Sequence, residues 1–103
     1  MVNSSDRKDG DTAVIDREVA RVRKTSPKYQ VLLHNDPVNS MDYVVNTLRQ
    51  VVPQLSEQDA LNVMLEIHNN GIGLVIVCDL EPAEFYSESL KAKGLTSTIE
   101  IES

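Results

Sequence analysis

The polar stretch HNDPVNSM, residues 34–41, follows an apolar run and gathers an imidazole, two amides and a carboxylate. His68 lies one helical turn beyond Met64 in an amphipathic segment, so both side chains share a helix face. If the first strand ends beside this helix, His68 meets Asn35 and Asp36. Oxygens of Asn and Asp, with a neutral imidazole nitrogen, would then bind an ammonium group. The apolar cavity beside this group would be formed by Met41, Val44, Met64 and Ile67.

A structural interpretation of the same residues stays open at this point. A histidine in the last turn of a helix is stabilised by the helix dipole, and apolar residues at helical spacing are typical of a core. A metal site is a weaker alternative. Strand alternation puts His34 and Asp36 on one side, but His34 and His68 lie in different elements without a characteristic spacing. We therefore expect neither a metal site nor a cofactor.

The sequence carries no catalytic signature. It lacks a glycine-rich phosphate loop, an HExxH motif and a GxSxG motif. Its single cysteine, Cys78, lies inside an apolar strand segment, which is a poor setting for a nucleophile. We expect a binding protein and not an enzyme.

Charge and composition limit the possible partners. The 103 residues, of which 41% are apolar, are enough for one small domain. Residues 1–28 hold seven Lys/Arg against five acids, whereas residues 29–103 hold three against eleven, a net charge of −8. Such an acidic body disfavours nucleic acid and favours a cationic ligand or a basic partner surface. The sequence contains neither an apolar run long enough for a membrane span nor a signal-peptide h-region, so we expect a cytoplasmic protein.

The first half of the domain reads as a strand and two helices. Residues 29–34 are β-rich and apolar. Ser40 is a good N-cap for a helix over residues 41–52, which Pro53 interrupts. Ser56 starts a second helix, and Gly71 supplies its left-handed stop.

The second half adds a strand, a helix and a strand. The apolar run at residues 73–78 predicts a central strand. Pro82 suits the first turn of a third helix, whose apolar points are Phe85, Leu90 and, beyond its end, Leu95. Residues 96–102 alternate as a half-exposed strand. The order β-α-α-β-α-β predicts an α+β domain, with a small three-stranded antiparallel sheet covered on one face by helices.

Residues 1–27 are polar and lack a stable apolar period, which predicts a mobile N-terminal arm ahead of a domain at residues 28–103. The arm is either an inert tail or a tether that engages a partner.

Four collinear stretches resemble the ClpS adaptor family: VLLHNDPVNSMDYVVNTL, ALNVMLEIHNNG, VIVCDLEPAE and LTSTIE, which together span most of residues 28–101. Members of this family bind the N-terminal residue of destabilised proteins, the N-degron, and deliver these proteins to a Clp AAA+ unfoldase. The resemblance therefore implies a ClpA- or ClpC-type unfoldase N-terminal domain and N-degron substrates as partners, and a monomer. It also implies that the arm serves delivery and not recognition.

The resemblance assigns a role to each matching position. Asn35 and His68 match the residues that hydrogen-bond the substrate α-amino group, and Asp36 adds negative charge at the rim. Met41 matches a gate that hinders side chains branched at Cβ. Glu81 and Glu84 lie on the stretch that resembles the unfoldase-docking surface. The wall of the side-chain pocket is matched by Leu33, Asn39, Val44, Met64, Ile67 and Leu95.

The element order also resembles the C-terminal domain of the ribosomal stalk protein, an interaction domain without a pocket for a terminal residue. That domain is typically lysine-rich on its binding helix and lacks both the Asn-Asp-to-Met loop and the His-x-x-Gly helix end. We keep it as the alternative interpretation.

Overall fold

The computed structural model describes residues 26–102. Its elements are β1 (Tyr29–His34), α1 (Met41–Val51), α2 (Glu57–Asn70), β2 (Ile72–Cys78), α3 (Leu80–Ala92) and β3 (Ser97–Ile101). The strands form one antiparallel sheet in the order β2-β1-β3. The predicted α+β class and element order are confirmed. Residues 1–25 of the predicted arm lie outside the described residues.

The helix starts follow from capping chemistry that the sequence made visible. The Ser40 hydroxyl accepts a hydrogen bond from the Tyr43 N–H at 3.1 Å. Ser56 and Asp59 form a reciprocal capping box, with bonds of 3.0 and 3.1 Å. Gly71 ends α2 with φ +82°, a left-handed conformation that favours glycine. α1 ends at Val51, one residue earlier than predicted.

The core lies between the sheet and the three helices of residues 26–102. Its largest fully buried side chains come from β1, α1, the residue after α1, and α3: Leu33, Leu48, Leu90, Val31 and Val52. Burying each of these contributes roughly 1.5–3 kcal/mol. Within residues 26–102, no helix combines the length and the apolar character that crossing a bilayer requires.

Two sequence predictions are wrong in detail. β2 is an edge strand and β1 is the central one. An apolar run predicts which faces of a strand are buried but not how many strands flank it. On the open edge of β2, the Leu74 N–H donates to the Glu66 carboxylate of α2 at 2.9 Å in place of a further strand. Phe85 is 65% exposed. The buried face of α3 is Ala83, Ser87 and Leu90, and a residue two positions beyond Ala83 points away from it.

Candidate functional site

A cavity of about 100 Å³ opens where the end of β1, the start of α1, the second half of α2 and the turn after α3 meet. All ten residues predicted to bind the α-amino group, gate the site or form its pocket line this one cavity. The complete lining is Leu33, His34, Asn35, Asp36, Asn39, Met41, Val44, Met64, Ile67, His68, Leu95 and Thr96.

Asn35 and His68 supply free polar groups to the cavity. The Asn35 N–H donates to the Gly71 carbonyl at 2.9 Å, which joins the end of β1 to the end of α2. Gly71 is three residues after His68, so this bond holds the two side chains at one site. Neither the Asn35 amide nor the His68 ring is hydrogen-bonded to any other group within residues 26–102. Both are exposed and available to a ligand.

Asp36 and Asn39 shape the loop that follows β1. The two Asp36 carboxylate oxygens accept from the Val38 N–H at 2.9 Å and from Asn39 Nδ2 at 3.0 Å. Asn39 Nδ2 also donates to the Gly94 carbonyl at 2.9 Å. Asp36 thus brings its negative charge to the rim of the cavity while it organises the loop. Asn39 is held in the wall by the same bonds.

Tyr43, in the first turn of α1, provides a second link to the turn after α3. Its hydroxyl donates to the Lys93 carbonyl at 2.7 Å. Together with the Asn39 bond, this link joins the start of α1 to the residues just before Leu95. Sequence reasoning missed this role. The sequence carries no signal for this bond, because the acceptor is a backbone carbonyl 50 residues away.

The remaining walls are apolar and well packed. Leu33, Val44, Met64, Ile67 and Leu95 are each at most 8% exposed. Met41 is 44% exposed. Of the apolar lining, therefore, only Met41 has room to move, and its unbranched side chain has three rotatable bonds.

His34 and Thr96 line the cavity although sequence reasoning gave them no binding role there. His34 Nε2 lies 2.8 Å from Thr98 Oγ1, so this ring is engaged with β3. Within residues 26–102, no three His, Cys, Asp or Glu side chains come together as a metal-binding group. The alternative of a metal held by His34, Asp36 and His68 therefore has no geometric support.

The predicted docking residues lie on another part of the molecule. Glu81 and Glu84 are exposed in the first half of α3, whereas the cavity is reached by the residues after its last turn. α3 has 13 residues, which at 1.5 Å per residue separates its ends by about 20 Å.

The start of β1 is fixed beside the first turn of α3. Lys28 Nζ and Asp79 Oδ1 are 2.7 Å apart. The hydrogen bond to Asp79 raises the pKa of the Lys28 ammonium. Burial raises the pKa of the neighbouring Cys78 thiol. The described chain thus begins next to the helix that carries Glu81 and Glu84.

Comparisons with known proteins point to one family. Residues 24–98 match the family model of the ATP-dependent Clp protease adaptor protein ClpS. The ATP-dependent Clp protease adapter protein ClpS of Synechococcus sp. strain CC9902 is 73% identical over 93% of this chain and 92% of its own. A chloroplastic Clp protease adapter protein of Arabidopsis thaliana is 40% identical over 81% of this chain and 52% of its own.

A solved structure shows the same fold with a small ligand. Agrobacterium tumefaciens ClpS2 bound to L-phenylalaninamide is 32% identical to this chain and superposes with a TM-score of 0.66. The match covers 74% of this chain and 98% of that one. The family model matches most of the domain, and a relative matches this chain along nearly its whole length. This protein therefore belongs to the ClpS family of Clp protease adaptors.

Proposed function

We propose that this protein is an adaptor that binds the N-terminal residue of substrate proteins and delivers them to a Clp AAA+ unfoldase. The preferred residue has a free α-amino group and a bulky apolar side chain. The observation that carries the proposal is an apolar-walled cavity beside two unpartnered polar side chains, Asn35 and His68. L-phenylalaninamide, the ligand of the Agrobacterium relative, has these two features.

The polar side of the cavity recognises the ammonium group. The N–H groups of the substrate ammonium donate to the Asn35 side-chain oxygen and to a neutral ring nitrogen of His68. Asp36 contributes negative charge at the same rim. Acetylation of the substrate removes the positive charge and all but one N–H, so at least one of the two acceptors is left without a partner. Each orphaned group costs roughly 1–3 kcal/mol.

The apolar side selects the side chain. The cavity of about 100 Å³ is somewhat smaller than the engineered cavity of about 150 Å³ that binds benzene in another protein. Movement of Met41 at its mouth enlarges it. Burying roughly 150 Å² of an aromatic side chain contributes about 4 kcal/mol before the cost of association. A branch at the ligand Cβ would collide with Met41, which disfavours Val and Ile.

Delivery uses the opposite end of α3. The proposed docking residues Glu81 and Glu84 would meet a basic surface on the N-terminal domain of a ClpA- or ClpC-type unfoldase. The described chain begins beside this helix, so an arm at residues 1–27 would leave the domain at 28–103 next to the docked unfoldase. All residues that line the cavity belong to one chain, which supports action as a monomer. The proposed binding makes and breaks no covalent bond, so it requires neither catalysis nor a cofactor. The proposed place of action is the cytoplasm, which supplies the ATP that a Clp AAA+ unfoldase requires.

A fluorescence titration of the full chain tests the recognition step. A labelled peptide with N-terminal Phe should bind, and its acetylated form and an N-terminal Val form should bind far more weakly. Asn35→Ala should weaken binding about tenfold or more. Val38→Ala is the matched control, because Val38 lies in the same loop, is 86% exposed and does not line the cavity. Equal affinity for the free and acetylated peptides would refute the proposal, and the ribosomal-stalk alternative predicts that outcome.

A further inference from the structure

The only phenylalanine of the chain is left in solvent. Phe85 lies on α3 and is 65% exposed. The helix buries small side chains and one leucine on its inner face and turns its largest apolar residue outward. In a chain with only 4% aromatic residues, this placement exposes a side chain that would otherwise add to the core.

The Phe85 ring is braced by its neighbours. Its centroid lies 5.9 Å from that of Tyr86, with the planes at 63°, an edge-to-face contact. The Tyr86 hydroxyl in turn accepts a hydrogen bond from Gln54 Nε2 at 2.8 Å, and Gln54 lies in the loop between α1 and α2. An exposed ring restrained in this way loses little conformational entropy on binding.

Acidic side chains flank one side of the Phe85 ring. Glu81 and Glu88 lie four residues before and three residues after Phe85, and Glu84 is next to it, so all belong to one exposed face. Glu88 pairs with Lys91 at 3.2 Å, with both side chains mostly in solvent. Neither Glu81 nor Glu84 pairs with a cation within residues 26–102. We call Glu81, Glu84, Phe85 and Glu88 the acidic aromatic face.

We propose that Phe85 is the anchor of the acidic aromatic face, and that it inserts into an apolar pocket rimmed by Lys or Arg on the Clp unfoldase. A restrained, exposed aromatic side chain next to a row of charged side chains resembles an interface hot spot, in which an aromatic anchor is bordered by a polar rim. The same face of a second copy of this chain is disfavoured as the occupant, since the two faces would oppose acid to acid. This inference rests on the proposed docking to an unfoldase and adds to it the anchoring residue and the chemistry of the partner pocket.

The anchor and the acids predict different kinetic signatures. Desolvation of Phe85 holds the formed complex together, so Phe85→Ala should raise the dissociation rate. The carboxylates steer association, so Glu81→Gln with Glu84→Gln should lower the association rate and its salt dependence. Phe85→Ala should retain the salt dependence of the wild type.

Biolayer interferometry of the full chain against full-length ClpA-type and ClpC-type unfoldases tests this inference. Phe85→Ala should weaken binding to the responding unfoldase about 30-fold. Leu65→Ala is the matched control, because Leu65 is 52% exposed on α2 and should be neutral. Phe85→Ala should keep the melting temperature and the N-terminal Phe peptide affinity of the wild type, since its side chain is exposed and lies away from the cavity.

The outcomes separate the inference from the function on which it rests. If Phe85→Ala binds the unfoldase like the wild type while the glutamine variants bind weakly, the anchor is refuted and the docking surface stands. If the wild type binds neither unfoldase but still binds the peptide, the proposed delivery fails and the anchor fails with it. A loss of binding in Leu65→Ala equal to that in Phe85→Ala would show a non-specific apolar effect and would also overturn the inference.

Discussion

Gly73 of β2 controls how closely α2 packs on the sheet, and Gly73→Ala tests this packing. A Cβ atom at this position would lie 2.9 Å from the Val63 carbonyl oxygen and 2.9 Å from Ile67 Cγ1. The Val63 oxygen belongs to the backbone of α2, so it cannot move aside as a side-chain tip does. α2 would have to shift away from the sheet by several tenths of an ångström.

The expected loss of stability follows from two opposing terms. Overpacking of a core contact costs about 1–3 kcal/mol. Replacing glycine by alanine regains about 0.4–1 kcal/mol by restricting the unfolded chain. The free energy of unfolding should therefore fall by about 1–2 kcal/mol, which lowers the melting temperature by roughly 5–15 °C for a domain of this size.

The same shift should reach the cavity. The residues of α2 next to Gly73 are Val63 and Ile67. Met64 lies between these two and His68 directly follows Ile67, and both Met64 and His68 line the cavity. The affinity for an N-terminal Phe peptide should therefore fall together with stability. Thermal unfolding and fluorescence titration of the full chain measure the two effects.

Val52→Ala is the stability control for this experiment. Val52 is fully buried just after α1, at the end of that helix remote from Met41, and its truncation should cost about 2 kcal/mol. It should lower the melting temperature without changing peptide affinity. A Gly73→Ala variant as stable as the wild type would refute the steric argument. Equal loss of affinity in both variants would refute the coupling between α2 and the cavity.

Three further predictions concern single side chains. Met41→Ala should extend binding to peptides with N-terminal Val or Ile, and unchanged selectivity in the titration would place the gate elsewhere. Tyr43→Phe removes the bond to the Lys93 carbonyl. It should cost about 1 kcal/mol in denaturant unfolding and weaken peptide binding, whereas unchanged values would show that the link is dispensable. Burial raises the pKa of the Cys78 thiol, so less thiolate is present at neutral pH. Iodoacetamide should alkylate the folded chain more slowly than the denatured chain, as followed by mass spectrometry, and equal rates would contradict this.

Local chemistry made part of the fold predictable from the sequence. The caps at Ser40, Ser56 and Gly71 lie where they were predicted, because each satisfies backbone groups within a few residues. Helical spacing placed Met64, Ile67 and His68 near one another. That these residues face the end of β1 came from the family resemblance, since periodicity alone does not say what a helix face meets.

The features that the sequence did not reveal depend on distant partners. Asn39 reaches the Gly94 carbonyl and Tyr43 reaches the Lys93 carbonyl, across 55 and 50 residues. Backbone carbonyls carry no sequence signal, so no residue pattern reports these bonds. The edge position of β2 and the exposure of Phe85 likewise leave no signal in the local sequence. Both follow from how the elements are arranged and not from the composition of the segments.

The arrangement of α3 explains how one small domain can hold a substrate and a partner together. The turn after this helix forms part of the cavity, and the helix itself carries the acidic aromatic face between Glu81 and Glu88. Phe85 lies seven residues before the last residue of α3, so the proposed anchor and the cavity end of the helix are about 10 Å apart along its axis. The two surfaces share no residue, so both can be occupied together. The proposed binding mode also buries only one substrate residue and makes few polar contacts with it. Such a limited contact area restricts the affinity, so that an unfoldase pulling on the chain can remove the substrate from the adaptor.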